Sequence, residues 1–109
     1  MISEGEALSI AQGWVDEYLN ASIPSQDRER KFFFILDDFI YQSPHDALRV
    51  FQSTFHIRMN NIAIEGFSAG PLRTFLMNYK NKYIYEMSEL CSSNLQFKEM
   101  YLLAKDGLS

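Results

Sequence analysis

Few side chains in this sequence belong to the types that perform catalysis or bind metals. His45 and His56 are the only histidines, and Cys91 is the only cysteine. A zinc site needs about four His, Cys or carboxylate ligands, and no such set surrounds either histidine in the sequence. No Ser-His-Asp signature, phosphate-binding glycine loop or His-Glu-x-x-His motif occurs. We therefore expect a protein that is not an enzyme and that binds neither a metal nor a cofactor.

Acidic pairs on two predicted helices are the strongest candidates for contact with a partner. Asp16 and Glu17 are adjacent in the first helix, and Asp37 and Asp38 in the second. Paired carboxylates can hydrolyse glycosides, but only across a cleft of fixed width. Two interpretations remain, namely solvated helix faces or an acidic docking surface that attracts a basic partner. Under the second interpretation, all four residues bind the partner.

A second cluster interleaves basic with aromatic residues at Tyr79, Lys80, Lys82, Tyr83 and Tyr85. Such mixtures can stack on nucleic-acid bases and contact phosphates. The spacing of four residues, however, predicts that Tyr79 and Tyr83 face the core. Lys80, Lys82 and Tyr85 are left as a candidate secondary patch for a polyanion or an acidic protein, and we do not expect nucleic acid to be the main partner.

The composition limits the class of protein. The chain has 109 residues, of which 47% are hydrophobic and 15% aromatic, so a disordered chain is excluded. Its net charge of −4 argues against binding that rests mainly on phosphate contacts. The charge is uneven, since residues 1–46 carry a net −6 and residues 47–109 a net +2. This asymmetry places the predicted docking surface in the N-terminal half.

The spacing of the apolar residues is helical through nearly the whole chain. The first helix begins at a predicted capping box of Ser3 and Glu6 and ends before Pro24. Ser25 is the predicted cap of the second helix. The run Phe32 to Phe34 would also suit a buried strand, but its charged, helix-periodic flanks favour a helix.

The rest of the chain contains further helix boundaries. Ser43-Pro44 starts a third helix, which we expect to end at Asn60-Asn61. Gly70 in a left-handed conformation is expected to close a short helix, and Pro71 to start the next, so that the pair forms a corner. Two polar stretches follow, of which 78–81 predicts a break or a kink and 92–94 predicts a break.

These boundaries predict an all-α fold of six or seven short antiparallel helices, with residues 1–109 forming a single helical domain. The helices could form a compact bundle or stack as a short helical solenoid. A membrane helix needs about 20 apolar residues, and no run here approaches that length. The acidic N-terminus is unlike a secretory signal. We therefore predict a cytoplasmic protein with no membrane association.

The segment from Gly66 to Leu76, and above all its Ala69-Gly70-Pro71-Leu72 core, resembles a small bacterial family of domains of unknown function. Members of that family have an Ala-Gly-Pro-Leu-Glu motif followed by an apolar pair, and the resemblance extends over most of the chain. It implies an all-helical fold and a bacterial origin, but no activity or catalytic residues. Arg73 stands where the family has an acidic residue, so no role of that carboxylate carries over.

Small size, an acidic helical domain and the lack of a catalytic motif favour a non-catalytic protein-binding module. We predict an immunity-type inhibitor that neutralises a bacterial toxin or an interbacterial effector, because acidic surfaces rapidly capture basic, nuclease-like toxins. One alternative is a general adaptor or regulatory module that binds a peptide or a partner helix, with Phe34, Tyr41 or Tyr85 as anchors. Another is a small homo-oligomeric structural protein, such as a homodimer.

Overall fold

The computed structural model describes residues 1–20 and 30–108, and these residues form helices and no strand. The α-helices are α1 (Glu4–Leu19), α2 (Lys31–Gln42), α3 (Pro44–Ser53), α4 (Asn61–Phe67), α5 (Arg73–Tyr79), α6 (Ile84–Ser93) and α7 (Leu95–Asp106). A 3₁₀ turn (Thr54–His56) follows α3, and a π-helical turn (Ser68–Leu72) joins α4 to α5. The all-α prediction is confirmed.

The helices pack as a bundle rather than as a solenoid. Helix α1 lies against α2, α3 and α4, while α7 packs on α4, α5, α6 and the π-helical turn. The Cα radius of gyration is 13.0 Å, which matches the value of about 13 Å for a compact chain of about 100 residues. Helices that are distant in sequence therefore share one core.

Aromatic rings form the centre of this core. The Phe51 side chain of α3 is fully buried, and its ring lies 5.8, 5.3 and 6.4 Å, between centroids, from the rings of Phe67, Phe75 and Phe97. Phe67 in turn packs edge-to-face with Trp14 of α1. These contacts tie five helices together, and each aromatic pair adds about 0.5–1.5 kcal/mol beyond the burial of its area.

The first helix begins as the sequence predicts. Ser3 accepts a hydrogen bond from the Glu6 backbone N–H at 3.1 Å, and the Ser3 hydroxyl donates to the Glu6 carboxylate at 3.3 Å. The predicted stop at Pro24 and the predicted cap at Ser25 lie outside the described residues. Helix α2 has no side-chain cap from the residue that precedes it.

The chain turns at Asn60 differently from the prediction. Helix α3 ends at Ser53, and Asn60 accepts a hydrogen bond from the Ala63 N–H at 2.8 Å. Asn60 therefore caps α4, and the prediction that Asn60-Asn61 ends the third helix is wrong. The chain breaks rather than kinks at 78–81, because α5 ends and α6 begins around this stretch, and the break predicted at 92–94 is confirmed, because α6 ends and α7 begins there.

The predicted corner at Gly70-Pro71 is also wrong. No glycine in the described part of the chain has a positive φ, and the backbone stays helical from Asn61 to Tyr79 through the π-helical turn. Pro71 has no N–H to donate, and its ring would clash inside an α-helical turn. The wider π turn accommodates it. Gly70 suits this place because it lacks the Cβ that a following proline would crowd.

A close approach of two helices requires another glycine. A Cβ at Gly66 in α4 would lie 2.2 to 2.5 Å from ring atoms of Tyr18. We expect Gly66→Ala to lower the free energy of unfolding by about 1–3 kcal/mol, because the Tyr18 ring must move off its stack on Trp14. Gly5→Ala is the matched control, since that Cβ would meet only the Ser3 hydroxyl oxygen at 3.9 Å. Urea unfolding compares the two variants, and equal stabilities would contradict the close contact.

Asp46 attaches the N-terminal segment to α3. Its carboxylate accepts hydrogen bonds from the Ser43 hydroxyl at 2.7 Å and from the Ile2 N–H at 3.0 Å. These bonds, the Ser43 bond foremost, lower the pKa of Asp46 below its usual 3.8. The folded protein thus holds fewer protons than the unfolded chain between the two pKa values. The stabilisation is present above the unfolded pKa and is lost as the pH falls through the folded one.

We expect Asp46→Asn to lower the free energy of unfolding by about 0.5 kcal/mol at neutral pH, a small loss because the carboxylate is partly exposed. Since asparagine does not titrate, the difference from the wild type should shrink on acidification and vanish below the lowered pKa. Urea unfolding at a series of pH values measures this difference. A difference that persists undiminished in acid would show that Asp46 acts through its shape and not its charge.

Candidate protein-docking site

Glu17 lies on α1 with its carboxylate against the start of α2. Its Oε2 accepts a hydrogen bond from the Phe32 N–H at 2.9 Å, and its Oε1 accepts one from the Phe33 N–H at 3.0 Å. The first N–H groups of a helix have no partner within the helix and carry partial positive charge, so a carboxylate there is stabilising. Glu17 therefore caps α2 from a neighbouring helix. Its role in binding a partner stays a prediction.

Asp16, the other acidic residue of that pair, is exposed and accepts a hydrogen bond from the Gln12 side-chain amide at 3.0 Å. Of the four predicted acidic residues, Glu17 thus turns its carboxylate to the start of α2, Asp16 is exposed on α1, and Asp37 and Asp38 lie on α2.

The two aspartates of α2 lie between two exposed rings, Asp38 on the solvent side of the helix and Asp37 at its half-buried edge. Phe34, Asp37, Asp38 and Tyr41 occupy positions i, i+3, i+4 and i+7, which form one stripe of a helix. Phe34 is 61% exposed and Tyr41 55% exposed, while Asp38 is exposed and Asp37 half-buried. A shallow depression of about 600 Å³ covers this stripe. We call these four residues the α2 outer face.

No described side chain neutralises the carboxylates of the α2 outer face. Among the described residues, neither Asp37 nor Asp38 has a side-chain hydrogen-bond or ion-pair partner. Arg30, which directly precedes α2, does not pair with these carboxylates. Its guanidinium carbon lies 4.2 Å from the centroid of the Phe33 ring and 6.0 Å from that of the Phe34 ring. The face therefore combines unpaired negative charge with exposed aromatic surface.

The predicted secondary patch lies at the turn from α5 to α6. Lys80 and Lys82 are exposed in the turn, and Tyr85 is exposed in the first turn of α6. Tyr79 and Tyr83 face inward, as predicted. The Tyr79 hydroxyl donates to a backbone carbonyl of α2, and burial raises the pKa of Tyr79 above 10.0. Two of the five residues thus hold the fold together, and three are left on the surface.

The histidines and the cysteine do not form a site. His45 and His56 are exposed, the first in α3 and the second in the 3₁₀ turn. Cys91 is half-buried, and burial raises the pKa of its thiol, which disfavours the reactive thiolate. No three His, Cys, Asp or Glu side chains in the described ranges are grouped so that they could hold a metal ion. None of the helices described is long and apolar enough to cross a membrane.

Sequence reasoning missed the roles of two polar side chains that join distant segments. Arg73 donates to the Ala104 and Leu103 carbonyls at 3.3 and 3.4 Å, where a cation compensates the partial negative charge at the end of α7. The Gln96 side chain accepts a hydrogen bond from the Met59 N–H at 3.1 Å and donates one to the Ile57 carbonyl at 2.8 Å. No local spacing signals bonds that span 30 or more residues.

Comparison of the chain with protein-family models, with curated proteins and with solved structures found no match. The resemblance at Ala69 to Leu72 stays a prediction.

Proposed function

We propose that the chain is a non-catalytic, cytoplasmic protein-binding module that docks a basic partner on the α2 outer face. Within that class, we propose an immunity-type inhibitor that neutralises a bacterial toxin or an interbacterial effector. The observation that supports this proposal best is the combination, on one helical stripe, of two exposed aromatic rings and two carboxylates that have no side-chain partner in the described ranges.

The two kinds of side chain on this face contribute differently to binding. Aromatic residues are frequent anchors of protein interfaces, and truncation of such an anchor costs about 2 kcal/mol or more. Phe34 and Tyr41 provide that exposed area. Carboxylates add little net affinity but accelerate the encounter with a basic surface and select against acidic ones. A partner with an apolar contact point surrounded by Lys and Arg fits both requirements.

The helix that carries the face is firmly held on its other sides. Leu36 and Ile40 are buried on its inner side, Glu17 caps its first turn, and Tyr79 binds one of its carbonyls. A preorganised surface loses little conformational freedom on binding, so more of the interaction energy appears as affinity. This rigidity is what a tight inhibitor requires.

A nuclease-like toxin has the surface that this face would recognise. Enzymes that act on nucleic acids present Lys and Arg to the phosphates, and an acidic domain can occupy that surface. The net −6 of residues 1–46 adds long-range attraction. We therefore expect the complex to form more slowly as the salt concentration rises, because mobile ions screen the attraction.

Self-association is a second candidate because α7 also exposes an apolar stripe. Leu95 is 83% exposed and Leu102 52% exposed, and a separation of seven residues places both on one side of the helix. A homodimer formed through this side would leave α2 free. Light scattering over a range of protein concentrations tests it, since a molar mass that stays at that of one chain would exclude the homodimer.

Co-expression with the protein encoded by the adjacent gene tests the proposed function. We expect that protein to arrest growth when it is expressed alone, and the chain to restore growth and to co-purify with it. A harmless neighbour that still co-purifies would support the adaptor alternative. If no neighbouring gene encodes a toxin that the chain binds, the immunity function is wrong.

A further inference from the structure

A cavity of about 330 Å³ lies where α1, the start of α2 and the π-helical turn meet. Among the described residues, its walls are largely aromatic side chains and helix backbone without a Cβ, contributed by Trp14, Tyr18, Phe33, Gly66 and Gly70. A smaller cavity of about 50 Å³ adjoins it and shares Trp14, Phe33 and Gly70. Pockets that hold small ligands begin at about 300 Å³. The larger cavity therefore has room for one ring with a small substituent.

Trp14, which lines this cavity, leaves a hydrogen bond unused in the core. Its side chain is only 4% exposed, and its Nε1–H has no acceptor among the described residues. A buried donor without a partner costs about 1–3 kcal/mol. The indole atom closest to the place of a Gly70 Cβ is Cζ2, at 3.9 Å. The Nε1 atom itself has almost no accessible surface, so it lies behind the cavity wall, out of reach of a bound molecule.

Among the described residues, one acid and one base line the cavity. They are Glu17 and Arg30. The Glu17 carboxylate is already bound by two N–H groups of α2, and the Arg30 guanidinium lies over the Phe33 ring. A ligand with a net charge would gain little attraction from this pair and would lose its hydration. The surroundings therefore favour a neutral ligand.

We propose that this cavity binds a neutral, planar aromatic ring. A flat ring can pack on the faces and edges of Trp14, Tyr18 and Phe33, which is the geometry that aromatic pairs prefer. The ring can belong to a free small molecule or to an aromatic side chain of a bound protein, and the site does not depend on the α2 outer face.

The single tryptophan provides the measurement. Trp14 is the only one in the chain, so its indole N–H gives one signal in the ¹H–¹⁵N spectrum of the intact protein. Benzamide is the first probe because it is a neutral compound with a planar ring, and we expect a saturable shift of the indole signal when the ring packs on Trp14. Cyclohexanecarboxamide has the same carboxamide on a puckered ring and should bind at least about tenfold more weakly. Equal affinities for the two compounds would overturn the proposal.

A second titration distinguishes the two sources of the ring. N-acetylphenylalanine amide presents an aromatic side chain on a peptide backbone. A saturable shift with this compound as well supports a side chain of a bound protein, and a shift with benzamide alone supports a free small molecule. If neither aromatic compound gives a saturable shift, the cavity is not a ring-binding site.

Variants of the cavity floor and wall complete the test. Gly70→Ala places a methyl group inside the cavity at ordinary contact distance from Trp14, and we expect it to weaken benzamide binding at least about tenfold, whereas Gly5→Ala should not change it. Because alanine before a proline strains helical backbone, Phe33→Leu is the second variant and should weaken binding by removing a flat wall. Unchanged binding in both variants would overturn the proposal. The experiment uses no protein partner, so its failure leaves the proposed function intact.

Discussion

The Phe51→Ala variant is expected to lose about 3–5 kcal/mol of unfolding free energy. Phe51 is fully buried, and its ring contacts Phe67, Phe75 and Phe97 from three other helices. Truncation removes the burial of the ring and leaves a cavity that the surrounding helices fill only in part. Since the free energy of unfolding of a domain is about 5–15 kcal/mol, this variant should be only marginally stable at moderate temperature.

Urea unfolding followed by circular dichroism measures the loss. Phe34→Ala is the matched control, because it removes the same ring from a position that is mostly exposed and should change stability by less than about 0.5 kcal/mol. If Phe51→Ala does not fold, Phe51→Leu keeps much of the volume and should show a smaller loss of the same sign. Equal effects at positions 51 and 34 would show that Phe51 is not at the centre of the core.

Reversal of both charges on the α2 outer face, with Asp37→Lys and Asp38→Lys together, should weaken binding of the neutralised toxin by about 100-fold or more. Each change replaces attraction to a basic surface with repulsion, and a factor of 100 corresponds to about 2.7 kcal/mol for the two positions. Neither carboxylate has a side-chain partner among the described residues. The fold should therefore tolerate the change, and the loss should appear in calorimetric affinity and in growth rescue.

The control for this charge reversal is a second double variant with the same change in net charge. Glu65→Lys and Glu99→Lys alter exposed residues of α4 and α7 and should reduce affinity by less than about fivefold, through weaker long-range attraction alone. If both double variants weaken binding equally, only the overall charge matters, and the α2 outer face is not the docking surface.

The parts of the fold that the sequence predicts are those determined by local physics. Apolar residues at helical spacing and the Ser3 cap depend on residues within one turn of each other, and both are confirmed. The Asn60 cap has a similar local signal, since an apolar run begins at Ile62. Because Asn60-Asn61 also suits the end of a helix, the local pattern does not decide between the two.

The incorrect predictions depend on contacts between distant segments. Gly70-Pro71 has the local pattern of a corner, but the helix continues through a π turn that Trp14 of α1 packs against. The inward role of Glu17 requires α2 to begin beside it, which no spacing in α1 reveals. A residue pattern contains no information on such tertiary contacts. A charged residue at a polar position of a helix is therefore predicted to be solvated, even where it caps another helix as Glu17 does.

The candidate docking site was accessible to sequence reasoning only in pieces. The charges of Asp37 and Asp38 indicate a docking role, and Phe34 and Tyr41 are predicted anchors of an alternative function. Their spacing already places all four on one stripe. What the sequence does not determine is that the rings stay exposed and the carboxylates unpaired, because this depends on which helices pack on α2 and which side they leave open.

Chemical-shift mapping of the ¹⁵N-labelled chain, with the toxin that it protects against, tests the docking surface most directly. We predict that the largest shifts on addition of the toxin occur at Phe34, Asp37, Asp38 and Tyr41. The largest shifts at Leu95 and Leu102 of α7, with the signals of α2 unchanged, would contradict docking on the α2 outer face.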